Sequence, residues 1–166
     1  MTFKKQLQKM EACQEAIEWV GDRTPEQAWE ECERGDWMLW FAQKMGVELQ
    51  PLTLAKARCA KLVIHLMKDE RSRNAVEVAE RFGLGKATRE ELDVAADAAA
   101  DAAYAAYTAD AYAAYAYAYA VYAAADADAA AADVAYAVAA AYANREETLK
   151  KCADICRETL TSYIIK

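Results

Sequence analysis

A chain of 166 residues, 56% apolar with a net charge of −7, is long enough for one domain with a real core, and its acidity argues against binding nucleic-acid backbones. No apolar run approaches the roughly 18 residues of a membrane span, and the N-terminus lacks the apolar core of a secretion signal. Five cysteines without framework spacing predict reduced thiols and a cytoplasmic chain.

Residues 2–20 read as one amphipathic helix, with Leu7, Met10, Cys13, Ala16, Ile17 and Val20 on the apolar stripe and Gly21 closing it. Thr24-Pro25-Glu26-Gln27 is a capping box with proline at the first helical position. It opens a short helix that turns Ala28, Trp29 and Cys32 inward and stops at Gly35. Asp36 is read as the cap of a third helix, Trp37 to Ala42, apolar nearly all round and so central to the N-terminal core, with Gly46 as its end. Gln50-Pro51-Leu52 reads as an extended link, and Thr53 as the cap of a fourth helix reaching Met67. A fifth runs from about Glu70 to Phe82, with Gly83 as its stop.

Thr88 to Glu91 forms a second capping box and opens a stretch to Asn144 that is almost wholly alanine, tyrosine and aspartate. Alanine is the strongest helix former and no Gly or Pro intervenes, so the stretch is helical. As one rod it would be roughly 80 Å long, twice the diameter of about 40 Å expected for a domain of this size, so it must fold back. Breaks are expected at Thr108–Asp110 and Asp126–Asp128, where cap-forming residues interrupt the alanines. Tyr104, Tyr107, Tyr112, Tyr115, Tyr119 and Tyr122 fall mostly on one face, read as packing; Tyr117 lies off it, and Tyr136 and Tyr142 belong to the next helix. Asp93, Asp97 and Asp101 recur every fourth residue as an acidic line. The last helix continues past Asn144, with Leu149, Cys152, Ile155, Cys156 and Leu160 on its apolar stripe. The fold class is all-α: a single compact domain of about seven to eight helices, residues 1–87 amphipathic and 88–166 an alanine-rich antiparallel bundle with the C-terminal helix.

Chemistry-bearing patterns are sparse. Cys152 and Cys156 are four apart on a helix, a spacing that can chelate a metal, but they lie on the apolar stripe, where free cysteine acts as a small hydrophobe. His65, the one histidine, has no Cys or acidic partner at a recognisable spacing. No glycine-rich phosphate loop, nucleophile elbow or zinc-knuckle pair occurs. The sequence therefore predicts no catalytic residue, no metal, no cofactor and no enzyme.

Several segments resemble one bacterial family along nearly the whole chain: Glu33-Arg34-Gly35-Asp36-Trp37-Met38-Leu39-Trp40, Arg58-Cys59-Ala60-Lys61-Leu62-Val63, Arg73-Asn74-Ala75-Val76-Glu77-Val78-Ala79-Glu80, the Ala/Tyr/Asp run, and Cys152-Ala153-Asp154-Ile155-Cys156-Arg157. In this order they are similar to the Imm-5-like immunity proteins, the Gly35-Asp36-Trp37 corner being the most distinctive piece. The sequence departs from the family in Cys156 and in its tyrosine-dense middle. The resemblance implies a protein that binds and neutralises a cognate bacterial toxin. An inhibitor of that kind needs a rigid surface with buried anchors and complementary charge, and the acidic balance suits a basic toxin. Asp36 and Trp37 at the corner, with Asp97 and Asp101 on the acidic line, are the expected contacts. Two rival readings stand beside it: a self-associating structural protein, monomer against homo-oligomer being open, and an acidic inhibitor of a nucleic-acid enzyme. A lone Thr108 in the run argues against an ice-binding helix.

Overall fold

The computed structural model describes residues 2–108, 134, 135, 137, 138 and 144–165. Among them every regular element is helical: α1 (Phe3–Lys9), α2 (Gln14–Val20), α3 (Pro25–Glu31), α4 (Gly35–Lys44), α5 (Leu49–Lys61), a 3-10 turn (Ile64–Leu66), α6 (Glu70–Gly83), α7 (Arg89–Thr108) and α8 (Arg145–Ile164). α4 and α5 both pack on α8, α5 on α6, and α6 on α7.

The N-terminal helix expected over 2–20 is two helices. Glu11 adopts φ 61, its N–H bonds the Gln8 carbonyl at 3.2 Å, and the Ala12 N–H bonds the Leu7 carbonyl at 3.1 Å. Those paired bonds terminate α1 with a left-handed residue, a place glycine normally takes. Gly21 then ends α2 at φ 53, ψ −119, in a tight turn closed by the Arg23 N–H on the Val20 carbonyl at 3.0 Å. The capping box before α3 forms as expected: Thr24 Oγ1 accepts from the Gln27 N–H at 3.2 Å, and Gln27 Oε1 from the Thr24 N–H at 3.0 Å.

Further boundaries also differ from the sequence reading. Gly35 does not stop α3, which ends at Glu31; it is the first residue of α4. Asp36 does not cap α4, because it already lies inside the first turn and Arg34 holds the cap position without a side-chain bond. α5 begins at Leu49, so Gln50-Pro51-Leu52 is helix rather than link; proline fits the first turn, where N–H groups have no intrahelical acceptor. Thr53 is consequently buried inside α5, and that helix ends at Lys61, short of Met67. α8 begins at Arg145, with Asn144 Oδ1 accepting from the Glu147 N–H at 3.3 Å as its N-cap; residues 139–143 lie outside the described residues.

Gly83 is not the stop of α6. It is the last helical residue, and the left-handed position is Gly85, at φ 70. Gly83 serves contact instead: a Cβ there would stand 2.6 Å from Leu54 Cβ and 2.7 Å from Leu54 Cα. α4 buries Met38, Leu39, Phe41 and Ala42 in the core, and beside it lies α5. α5 buries residues all round, Ala55, Ala57, Cys59 and Ala60 at 0% exposure and Lys56 at 1%. Small side chains let α4, α6 and α8 approach it from several sides.

One buried cluster runs from Leu7 to Leu160 and joins both halves of the chain. Val134, Ala135, Ala137 and Val138 belong to it together with Leu92 and Ala99, so the alanine-rich stretch contributes to the core at both places. Of the break expected at Thr108–Asp110, Thr108 is still within α7; the rest of it, and the break expected at Asp126–Asp128, lie outside the described residues.

Candidate functional site

The Gly35-Asp36-Trp37 corner is built by a close crossing. A Cβ on Gly35 would lie 2.3 Å from Cys152 Cβ and 2.7 Å from the Cys152 carbonyl carbon, so only glycine lets α4 start against α8. The same contact seats Asp36, 6% exposed, and leaves Trp37 half-buried. Arg34 closes the corner. Its Nε and Nη2 donate to the two Asp36 carboxylate oxygens at 2.9 and 2.7 Å, and its guanidinium lies 4.3 Å over the Trp37 ring. The hydrogen-bonded carboxylate holds the Arg34 pKa above its ordinary value, so this cation is permanent. Glu15 stands 3.7 Å away on its other side.

Trp37 meets Trp19 at 6.0 Å between ring centroids, and Arg23 lies 4.7 Å over Trp19. Arg23, Trp19, Trp37 and Arg34 therefore form a row of contacts that joins α2 to α4: each guanidinium lies over one indole face, and the two indoles meet at a tilt of 59°. Arg23 is itself fixed, donating to the Trp19 carbonyl at 2.7 Å and to Glu31 at 2.8 Å. Tryptophan and arginine, immobilised before any partner arrives, are the residue types that dominate protein interfaces.

The corner borders a cleft of about 790 Å³ between the α1–α2 turn, the start of α4 and the start of α8, with Cys13, Trp40 and Arg145 among its walls. A second, smaller and almost entirely apolar pocket of about 50 Å³, partly open to solvent, is lined by α1 to α4, with Trp19, Trp29, Trp37, Met38 and Phe41 in its walls. α3 is held over this pocket by α8. Arg157 Nη1 donates to the carbonyls of Trp29, Glu30 and Cys32 at 3.2, 3.2 and 2.8 Å, and Trp29 Nε1 donates to Thr161 Oγ1 at 2.9 Å. One guanidinium thus satisfies the carbonyls at the end of α3 that have no intrahelical donor.

The four sequence-predicted contact residues do not form one patch. Asp36 and Trp37 share the corner; Asp97 and Asp101 stand exposed on α7, which packs on α6. Asp93, the third member of that acidic line, is paired with Arg89 at 2.7 Å. Asp36 offers no free carboxylate, since Arg34 occupies it. What the corner presents is Arg34 and Trp37, and Arg34, Glu15 and Trp19 escaped the sequence reading because the kink at Glu11 brings α2 onto α4. Tyr104, expected to pack, is 71% exposed. The side chain of Tyr107, with Tyr112, Tyr115, Tyr117, Tyr119, Tyr122, Tyr136 and Tyr142, lies outside the described residues.

Cys152 and Cys156 are core residues at 0% exposure, in contact with the Cys59 thiol. The bond to Cys59 and burial push the Cys152 thiol far above its ordinary value, and burial pushes Cys32 up to about 11. Cys32, Cys59 and Cys152 are therefore held as protonated thiols, with Cys156 buried beside them; Cys13 alone of the five is exposed. Among the described residues no group of three Cys, His, Asp or Glu side chains is placed to hold a metal, and no described helix is long and apolar enough to cross a membrane. Comparison with protein-family models, curated proteins and solved structures returns no match.

Proposed function

We propose that this chain is a non-catalytic cytoplasmic immunity protein of the Imm-5-like kind, which binds a cognate bacterial toxin and blocks it. The observation that carries the reading is the Arg23-Trp19-Trp37-Arg34 row, whose Arg34 and Trp37 line the cleft, at the Gly35-Asp36-Trp37 segment where the family resemblance is most distinctive. Rigid aromatic and guanidinium groups beside a cavity suit recognition of a protein, and they need no reactive group. The deciding experiment is capture from the source cells with the tagged full chain, followed by co-expression of any captured protein. Rescue of growth from a captured toxin is the expected result. Failure of every captured protein to be toxic, or toxicity unchanged by co-expression, would overturn the reading.

A second reading, self-association through α7, is favoured by Val94 and Tyr104, which stand 69% and 71% exposed on that helix. Sedimentation across a concentration series separates the two: a mass that stays at one chain removes it.

A further inference from the structure

The chain's negative charge concentrates in two stretches: residues 88–144, with nine carboxylates against Arg89, and residues 11–34. Residues 11–34 carry eight carboxylates (Glu11, Glu15, Glu18, Asp22, Glu26, Glu30, Glu31 and Glu33) against Arg23 and Arg34, a balance of −6 beside the aromatic pocket. All eight are exposed. Three have cationic neighbours: Glu15 near Arg34, Glu31 with Arg23, and Glu33 with Lys150. Glu18, Glu26 and Glu30 are next in sequence to Trp19, Pro25 and Trp29, which wall the apolar pocket.

α1 shows what kind of segment this surface accepts. It is a single basic, amphipathic run of seven residues; Phe3 and Leu7, four apart, face the pocket while Lys4, Lys5 and Lys9 stand exposed. Phe3 meets Phe41 edge-on at 5.5 Å. With α1 in place about 50 Å³ of apolar space is still open, enough for the tip of one aliphatic or aromatic side chain.

We infer that this pocket is the docking site for a basic amphipathic helix of the partner protein, which seats one apolar side chain among Trp19, Trp29, Trp37 and Phe41 and sets its lysines or arginines against Glu18, Glu26 and Glu30. The partner repeats on the α2 and α3 side what α1 does from within the chain. The apolar anchor supplies contact area, and the carboxylates steer and select the basic partner. This deepens the immunity reading, on which it rests for the partner's identity as a toxin, though the surface can be tested without the toxin.

The test uses the full chain and three synthetic helical peptides: one with leucine and phenylalanine on one face and lysine elsewhere, one with glutamate replacing every lysine, and one with the apolar anchors replaced by serine. Tryptophan fluorescence and calorimetry read binding. The basic peptide is expected to bind, with affinity falling about tenfold from low to high salt, and the other two are expected not to bind. A triple variant, Glu18→Lys with Glu26→Lys and Glu30→Lys, changes only exposed side chains, and circular dichroism checks its helix content. Its affinity for the basic peptide should drop at least tenfold. Absence of binding by the basic peptide, equal binding of the acidic or serine peptide, or indifference to the triple variant would overturn the inference. If wild-type and triple-variant chains capture the same toxin equally, the docking surface is wrong while the immunity reading stands. If the peptides behave as expected and no toxin is captured, the surface stands and the immunity reading falls.

Discussion

The two halves of this molecule hold together by different means. Around α1 to α4 the contacts are few and large: three tryptophans and Phe41 around one pocket, with Arg157 and Thr161 of α8 pinning α3 through hydrogen bonds. In α5, α6 and α7 half of the buried residues are alanines, and each methyl group offers little area. Close approach of the helix axes must make up the difference, which is why α5 meets α6 at a glycine. The lesson is that aromatic packing tolerates short helices of seven residues with irregular joints, whereas alanine packing demands longer helices in tight register. It also places the candidate interface in the aromatic half, where large side chains remain partly open to solvent.

The largest effect should come from Gly35→Ala, where the new methyl meets Cys152 Cβ and backbone atoms that cannot move independently. We expect a loss of about 3 kcal/mol in denaturant unfolding, together with a displaced corner seen as altered Trp37 fluorescence. Helix propensity alone would favour alanine by about 1 kcal/mol, so a stabilised variant would show that the crossing is not the controlling contact.

Arg157→Ala should cost about 2 to 3 kcal/mol, because three carbonyls of the α3 end lose their donor at once. Arg157→Lys keeps the charge but cannot reach all three, and it should recover only part of the loss. Equal stability of the alanine variant and the wild type would mean that α3 is held by Trp29 packing alone.

Gly83→Ala tests the alanine half in the same way as Gly35→Ala tests the aromatic half. Contact with the Leu54 backbone should destabilise by about 2 kcal/mol, read by thermal unfolding. A change near zero would show that α6 can slide on α5 and that the alanine layer is less tightly registered than the aromatic half. The smallest effect runs the other way. Glu11→Gly removes a side chain from a left-handed position, and stability should rise by about 0.5 to 1 kcal/mol after the entropy of the unfolded glycine is subtracted. A loss of stability would mean that the Glu11 side chain contributes more to the turn than its backbone strain costs.

Much of this architecture is written in local signals. The all-helical class, the capping boxes at Thr24 and Thr88, and the endings at Gly21 and Gly46 follow from residue types within four positions of one another, because caps and helical periodicity are short-range effects. The tertiary structure decided what depends on distant partners. Glu11 breaks a helix whose apolar stripe runs straight through it, since the kink allows Trp19 to reach Trp37. Gly35 and Gly83, which resemble helix stops in sequence, are contact points set by Cys152 and Leu54. Thr53 and Lys56 carry surface chemistry, yet they are buried because α5 is enclosed by α4, α6 and α8. Asp36 and Trp37 were legible as a corner; that Arg34 takes up the carboxylate and covers the ring follows only from the fold. Sequence fixes the backbone preferences of each segment, while the packing of segments far apart in the chain decides which side chains remain for a partner.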